Sequence, residues 1–131
     1  MFKRIGVIGA GAMGRGIAQL FASSGQQVLL FDTRKEAIDD ALAFNRNLLQ
    51  RAQAKGKMTE AELEATVARM QPAAQLTDLA ECDLVIEAIV ELLEVKQKLF
   101  ADLEAIVSAD CVLATNTSSL PVIDIAVHTR R

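Results

Sequence analysis

The sequence predicts an α/β fold, a doubly wound parallel sheet, on three observations. Four short apolar runs, at residues 5–8, 28–31, 83–88 and 111–115, have the length and make-up of buried strands. Segments with helical spacing of apolar residues separate them. A glycine turn, Gly9-Ala10-Gly11-Ala12-Met13-Gly14, links the first run to the first of those segments. Strands that alternate with helices pair in parallel, because each helix returns the chain to the same end of the sheet.

Composition sets the outer bounds. A chain of 131 residues is the size of one domain, so residues 1–131 are read as a single unit. With 51% hydrophobic and 24% charged residues it can bury a core. The net charge of −3 offers no basic footprint for nucleic acid. Cys82 and Cys111 lack metal-type spacing, form no Cys-x-x-Cys pair and sit in apolar runs, which suits reduced core thiols. The first apolar run is too short for a membrane span or a signal-peptide core. A soluble, cytoplasmic protein with no metal, nucleic-acid or membrane partner is the expectation.

Taken in order, residues 5–8 (IGVI) form the first strand. Past the glycine turn, Ile17, Leu20 and Phe21 recur on one helical face, and Gly25 ends that helix. Residues 28–31 (VLLF) form the second strand, closed by Asp32; the β-α-β unit is then complete within ~30 residues. Residues 35–54 read as a long amphipathic helix with Ile38, Leu42 and Leu49 inward. Lys55-Gly56-Lys57 breaks it. Thr59 with Glu62 is a capping box for a second helix running to about Met70, which Pro72 stops. These two helices are an inserted hairpin. Residues 74–76 read as a short strand and 83–88 (DLVIEA) as a stronger one. Residues 92–107 form a helix with Val95, Leu99, Leu103 and Ile106 on one face. Residues 111–115 (CVLAT) are the last strand, and Pro121 opens a short helix over 122–127.

The glycine turn carries the chemistry. A lone GxGxxG is weak evidence, but this one follows a strand, opens a helix and has a carboxylate at the end of the next strand. Gly9 permits the tight turn, Gly11 lets a pyrophosphate approach the backbone, and Gly14 lets helix and strand pack closely. The N–H groups around Ala12 and Met13, at the positive end of the helix dipole, then face the anion. Asp32 suits the adenosine ribose hydroxyls of NAD and repels the extra phosphate of NADP, whereas Arg34 nearby suits that phosphate. Asp32 also has a structural alternative as the N-cap of the helix that follows. The fold this predicts is Rossmann-type, with the helical hairpin inserted and the sheet incomplete at its C-terminus.

Together, GAGAMGRGIA (residues 9–18), the hairpin with Lys55-Gly56-Lys57, VIEAIVE (residues 85–91) with Val95-Lys96, and ATNTSSLPV (residues 114–122) resemble the 3-hydroxyacyl-CoA dehydrogenase family, including its 3-hydroxybutyryl-CoA type. The resemblance runs the whole length of the chain. It implies an NAD-dependent oxidoreductase of fatty acid or related acyl-CoA metabolism. Glu91, Lys96 and Asn116 are implied to lie along the cofactor on its nicotinamide side. Ser118 is implied to hold the substrate oxygen, a task suited to a hydroxyl that both donates and accepts. The hairpin is implied to clasp coenzyme A, with Lys55 as the matching cation and Arg51 and Lys57 beside it. Read without the family, Glu91 favours a helix dipole, Lys96 is a solvated lysine, and residues 116–119 are a polar turn. Leu48 and Leu92 stand where many relatives are polar.

The resemblance also marks what these residues do not supply. Removing a hydroxyl proton needs a base, and the family's histidine and its orienting glutamate match no position here. His128 falls in the helix after Pro121 and is read as a cation at a helix end. The family's helical C-terminal domain, which completes the substrate pocket and makes a homodimer, is expected outside the chain, and these 131 residues alone are expected not to turn over. Two further readings stand beside this one. One is another dehydrogenase with a G-x-G-x-M-G loop, acting on small hydroxy acids. The other is a non-catalytic dinucleotide-binding module.

Overall fold

The computed structural model describes residues 2–89 and 93–115, and of residues 93–96 and 115 the backbone only. Five strands form one sheet: β1 (Arg4–Ile8), β2 (Gln27–Phe31), β3 (Met70–Pro72), β4 (Leu84–Glu87) and β5 (Val112–Thr115). Their order is β3-β2-β1-β4-β5, and every neighbouring pair is parallel. The chain starts in the middle, winds outward to β3, then returns past β1 to build the other half. This order puts a crevice at the C-terminal ends of β1 and β4, where the winding reverses.

Strand residues alternate between two cores. Ile5 and Val7 of β1 and Val28 and Leu30 of β2 face one side, which α1 (Ala12–Ser23), α2 (Lys35–Ala54) and α3 (Glu60–Arg69) cover with Ala18, Ala22, Ile38, Ala41, Leu49 and Leu63. Ile8 and Val85 face the other side, where they meet Leu103 and Val107 from α4 (Leu93–Ile106) and its end. Cys82 and Cys111 form no disulfide and are buried in that second core. Burial, reinforced by the nearby Cys111, pushes the Cys82 thiol up to about 11, so both behave as core residues.

The hairpin forms as its local chemistry requires. Thr59 Oγ1 accepts from Glu62 N at 3.1 Å while Glu62 Oε1 accepts from Thr59 N at 2.8 Å, closing the capping box. These bonds hold the Glu62 carboxyl below its usual range. Gly56, at φ +75°, makes the bend. Gly25, at φ +95°, closes α1 just past Ser24.

Two expectations are corrected. The third strand is Met70–Pro72, not residues 74–76, and Leu76–Leu79 is a 3-10 turn. Ala73 N donates to Leu30 O at 2.9 Å, so by alternation the nitrogen of Pro72, which carries no proton, faces away from β2. Leu20 is 64% exposed, while Ile17 and Phe21 pack against the core as expected, beside the buried Gly14, Ala18 and Ala22, small residues that bring α1 close to the sheet. The face expected on α4 holds for its described side chains: Leu103 is fully buried, and Leu99 and Ile106 pack against the same core. The short helix expected over 122–127 and His128 lie outside the described residues.

Candidate active site

The glycine turn begins where β1 stops. Gly9 adopts φ +106°, and a Cβ there would lie 2.8 Å from Ala88 O, so only glycine satisfies both backbone and neighbour. Gly9 N donates to Phe31 O at 2.8 Å, which carries the sheet pairing into the turn. Gly14 is buried in the first turn of α1, where a Cβ would stand 1.6 Å from Gly9 O. Gly11 is the reverse case: a Cβ would meet nothing within 4 Å. The space beside Gly11 is therefore open, and it lies at the N-terminus of α1, the positive end of that helix's dipole.

Asp32, at the end of β2, locks this turn. Its Oδ2 accepts from Ala10 N at 2.9 Å and its Oδ1 from Arg34 N at 2.9 Å. It is not the N-cap of α2, which is Arg34. The Arg34 side chain is largely exposed and lies 4.0 Å from Asp32 Oδ1. A carboxylate thus stands at one end of the cradle, with lone pairs left for a diol and an exposed cation outside it.

These parts border one cleft of about 1020 Å³, lined by Gly9, Gly11, Ala12, Met13, Asp32 and, across from them, Ala88 and Ile89. It lies at the C-terminal ends of β1, β2 and β4 and is large enough for an extended dinucleotide. The open space over Gly11, the N–H groups of the α1 start and the carboxylate of Asp32 together fit the pyrophosphate and adenosine ribose of NAD. A second, smaller groove of about 360 Å³ runs between α1 and α2 and shares Ala12 with the first. Arg15 stacks 3.5 Å over the Phe44 ring on its wall. Asn45, 1% exposed, also lines it. Asn45 Nδ2 donates to Arg15 O at 2.9 Å, while its buried Oδ1, like the buried Oε1 of Gln19, has no hydrogen-bond partner among the described residues.

The 3-hydroxyacyl-CoA dehydrogenase NAD-binding domain model matches residues 4–131. The chain belongs to that family. A probable 3-hydroxybutyryl-CoA dehydrogenase of Deinococcus radiodurans is 42% identical over 128 residues, which is 98% of this chain and 46% of the relative. The crystal structure of 3-hydroxybutyryl-CoA dehydrogenase from Escherichia coli K12 superposes with a TM-score of 0.96 at 41% identity, covering 99% of this chain and 28% of that one. That of (S)-3-hydroxybutyryl-CoA dehydrogenase from Ralstonia eutropha gives 0.94 at 34% identity, covering 100% of this chain and 46% of that one. The chain spans less than half the length of these relatives. The 3-hydroxyacyl-CoA dehydrogenase match decides between the dehydrogenase families that the glycine loop alone left open, and its NAD-binding domain makes NAD the cofactor.

Of the residues expected from sequence, Gly9, Gly11, Ala12, Met13 and Asp32 come together on the cleft, with Gly14 buried beneath. Lys55 is exposed at the end of α2, beside the hairpin bend and away from the cleft lining. Lys96 lies on α4, its side chain undescribed; Glu91, Asn116 and Ser118 lie outside the described residues. Sequence reading missed Leu99 of α4 on the cleft wall, and Ala88 and Ile89 at the end of β4. The signal for Ala88 and Ile89 was position alone, since residues just past a parallel strand face the crevice. Among the described residues no helix is long and apolar enough to cross a membrane.

Proposed function

We propose that the chain is the cofactor-binding half of an enzyme that oxidises 3-hydroxyacyl-CoA to 3-oxoacyl-CoA. The observation that carries this is the cradle of Gly9, Gly11 and Gly14 stitched through Ala10 to the carboxylate of Asp32. When bound, NAD accepts the hydride that leaves C3 of the thioester. Backbone N–H groups at Ala12 and Met13 hold the pyrophosphate, and Asp32 accepts from the adenosine ribose hydroxyls. Glu91, Lys96 and Asn116 line the nicotinamide side. Ser118 donates to the substrate oxygen as it becomes a carbonyl. The base that takes the hydroxyl proton comes from the part of the enzyme beyond the matched segment, as does a homodimer contact.

Lys55, with Arg51 and Lys57, meets the phosphates of coenzyme A. The groove between α1 and α2 suits the arm that carries the thioester, whose chain would lie along Leu20 and Leu48 on its wall. The same reading makes the enzyme cytoplasmic, with acyl-CoA as its partner and no nucleic acid or membrane.

Calorimetric titration with NAD⁺ and NADP⁺ at one salt concentration tests the core of this. NAD⁺ is expected to bind at least about 10-fold tighter, or ~1.4 kcal/mol. Tighter NADP⁺ binding would mean that Arg34 outweighs Asp32. A folded chain that binds neither would sink the reading of the cradle. The same preparation is expected to bind NAD⁺ without oxidising 3-hydroxybutyryl-CoA, and turnover at an enzymatic rate would overturn the placing of the base.

A further inference from the structure

One buried acid takes no part in the roles above. Glu87, the last residue of β4, is 0% exposed and is among the largest fully buried side chains. A carboxylate in that position is costly unless it is hydrogen-bonded. Its Oε2 accepts from Ile89 N at 2.5 Å, closing a turn over its own backbone. The residue between them is held from the other side: Ala88 N donates to Ile8 O at 2.8 Å, and Ala88 O lies against Gly9. Ala88 and Ile89 then form the cleft wall at β4. The strand order β2-β1-β4 puts this wall at the opposite end of the cleft from Asp32. A dinucleotide with its adenosine ribose at β2 and its pyrophosphate over β1 lays its second half over β4.

The geometry points to Glu87 as a positioning residue for the nicotinamide half of the cofactor, acting through its bond to Ile89 N on the wall that half lies against. The inference rests on the NAD reading of the cleft. It makes a specific demand: loss of the bond weakens NAD⁺ but not ADP, which occupies only the end near Asp32 and the glycine turn.

The test is calorimetric titration of the 131-residue chain and three variants with NAD⁺ and with ADP. Glu87→Leu removes the acceptor. Glu87→Asp keeps the carboxylate but falls one methylene short. Glu87→Gln keeps both reach and an acceptor oxygen. The NAD⁺-to-ADP affinity ratio is expected to fall about 10-fold in Glu87→Leu and Glu87→Asp and to stay within about 3-fold of the parent in Glu87→Gln. If Glu87→Leu fails to fold by circular dichroism, the Asp and Gln variants decide. Parallel weakening of both ligands would reduce Glu87 to a structural group. An unchanged ratio in Glu87→Asp would overturn the proposal, as would a loss in Glu87→Gln alone. A parent chain that binds ADP and NAD⁺ equally well, or neither, would instead remove the cleft reading beneath it.

Discussion

Gly11 and Gly14 belong to one motif yet do opposite work. Gly14 has no room for a methyl group, since Gly9 O occupies that space. Gly14→Ala is expected to cost about 3 kcal/mol of stability, as an overpacked backbone contact does. Gly11 has open space, so Gly11→Ala is expected to change stability by less than about 0.5 kcal/mol. Its methyl group projects where the pyrophosphate lies, so NAD⁺ affinity falls at least about 10-fold. Thermal melts and NAD⁺ titration on the pair check both halves; a stable Gly14→Ala would contradict the packing. Asp32 has a double task that sequence position did not reveal. Its carboxylate was legible as a ribose partner, but its bonds to Ala10 N and Arg34 N show that it also builds the turn. Asn45 and Glu87 were not legible at all. A buried polar residue inside a helix or strand looks like any surface one until its neighbours are known.

Elements with strong local chemistry were read well from sequence. The capping box, the glycine ends of α1 and α2, and the apolar runs of β1, β2, β4 and β5 each depend on residues close in sequence. β3 was misplaced by a few residues because proline argues against a strand. It is tolerated here because β3 is an edge strand with that nitrogen pointing outward. On α1 Ile17 and Phe21 were read correctly, but Leu20 was misplaced because the closest contact uses small residues, which carry little hydrophobic signal. Between elements, Asp83 ties the start of β1 to the start of β4. Its Oδ2 accepts from Lys3 N at 2.8 Å and Arg4 N at 3.0 Å, and these bonds, Arg4 N first, lower its pKa. A carboxyl lowered in the folded state stabilises above its unfolded pKa, and that contribution fades as pH falls through the folded value. The stability gap between parent and Asp83→Ala is therefore expected to be widest near pH 7 and to narrow below pH about 4. Denaturant melts across that range measure it, and a gap independent of pH would rule out the carboxylate as its source.

At the scale of the whole molecule, the cleft draws on the ends of three strands, so a ligand there fastens both halves of the sheet. Saturating NAD⁺ at about 100 times its Kd is expected to add ~2.7 kcal/mol to folding. For a chain of this size that is a rise in Tm of roughly 10 °C. A calorimetric scan with and without NAD⁺ reads it, and no shift at a concentration shown to saturate would mean that the unfolded chain binds as well. The fold class was legible because it follows from alternation of elements, and the family because four motifs stand in order. The wall at Ala88 and Ile89 was not, because it arises only when β4 is laid beside β1.

Pro72 has a consequence outside the monomer. A bare strand edge is a template on which a second molecule adds its own strand, and repeated addition makes fibres. β3 is only three residues long, and its outward row ends in a nitrogen with no proton to donate. An incoming chain finds too few partners there to gain a register. The residue that hid β3 from sequence reading is thus the one that keeps this flank of the sheet from aggregating.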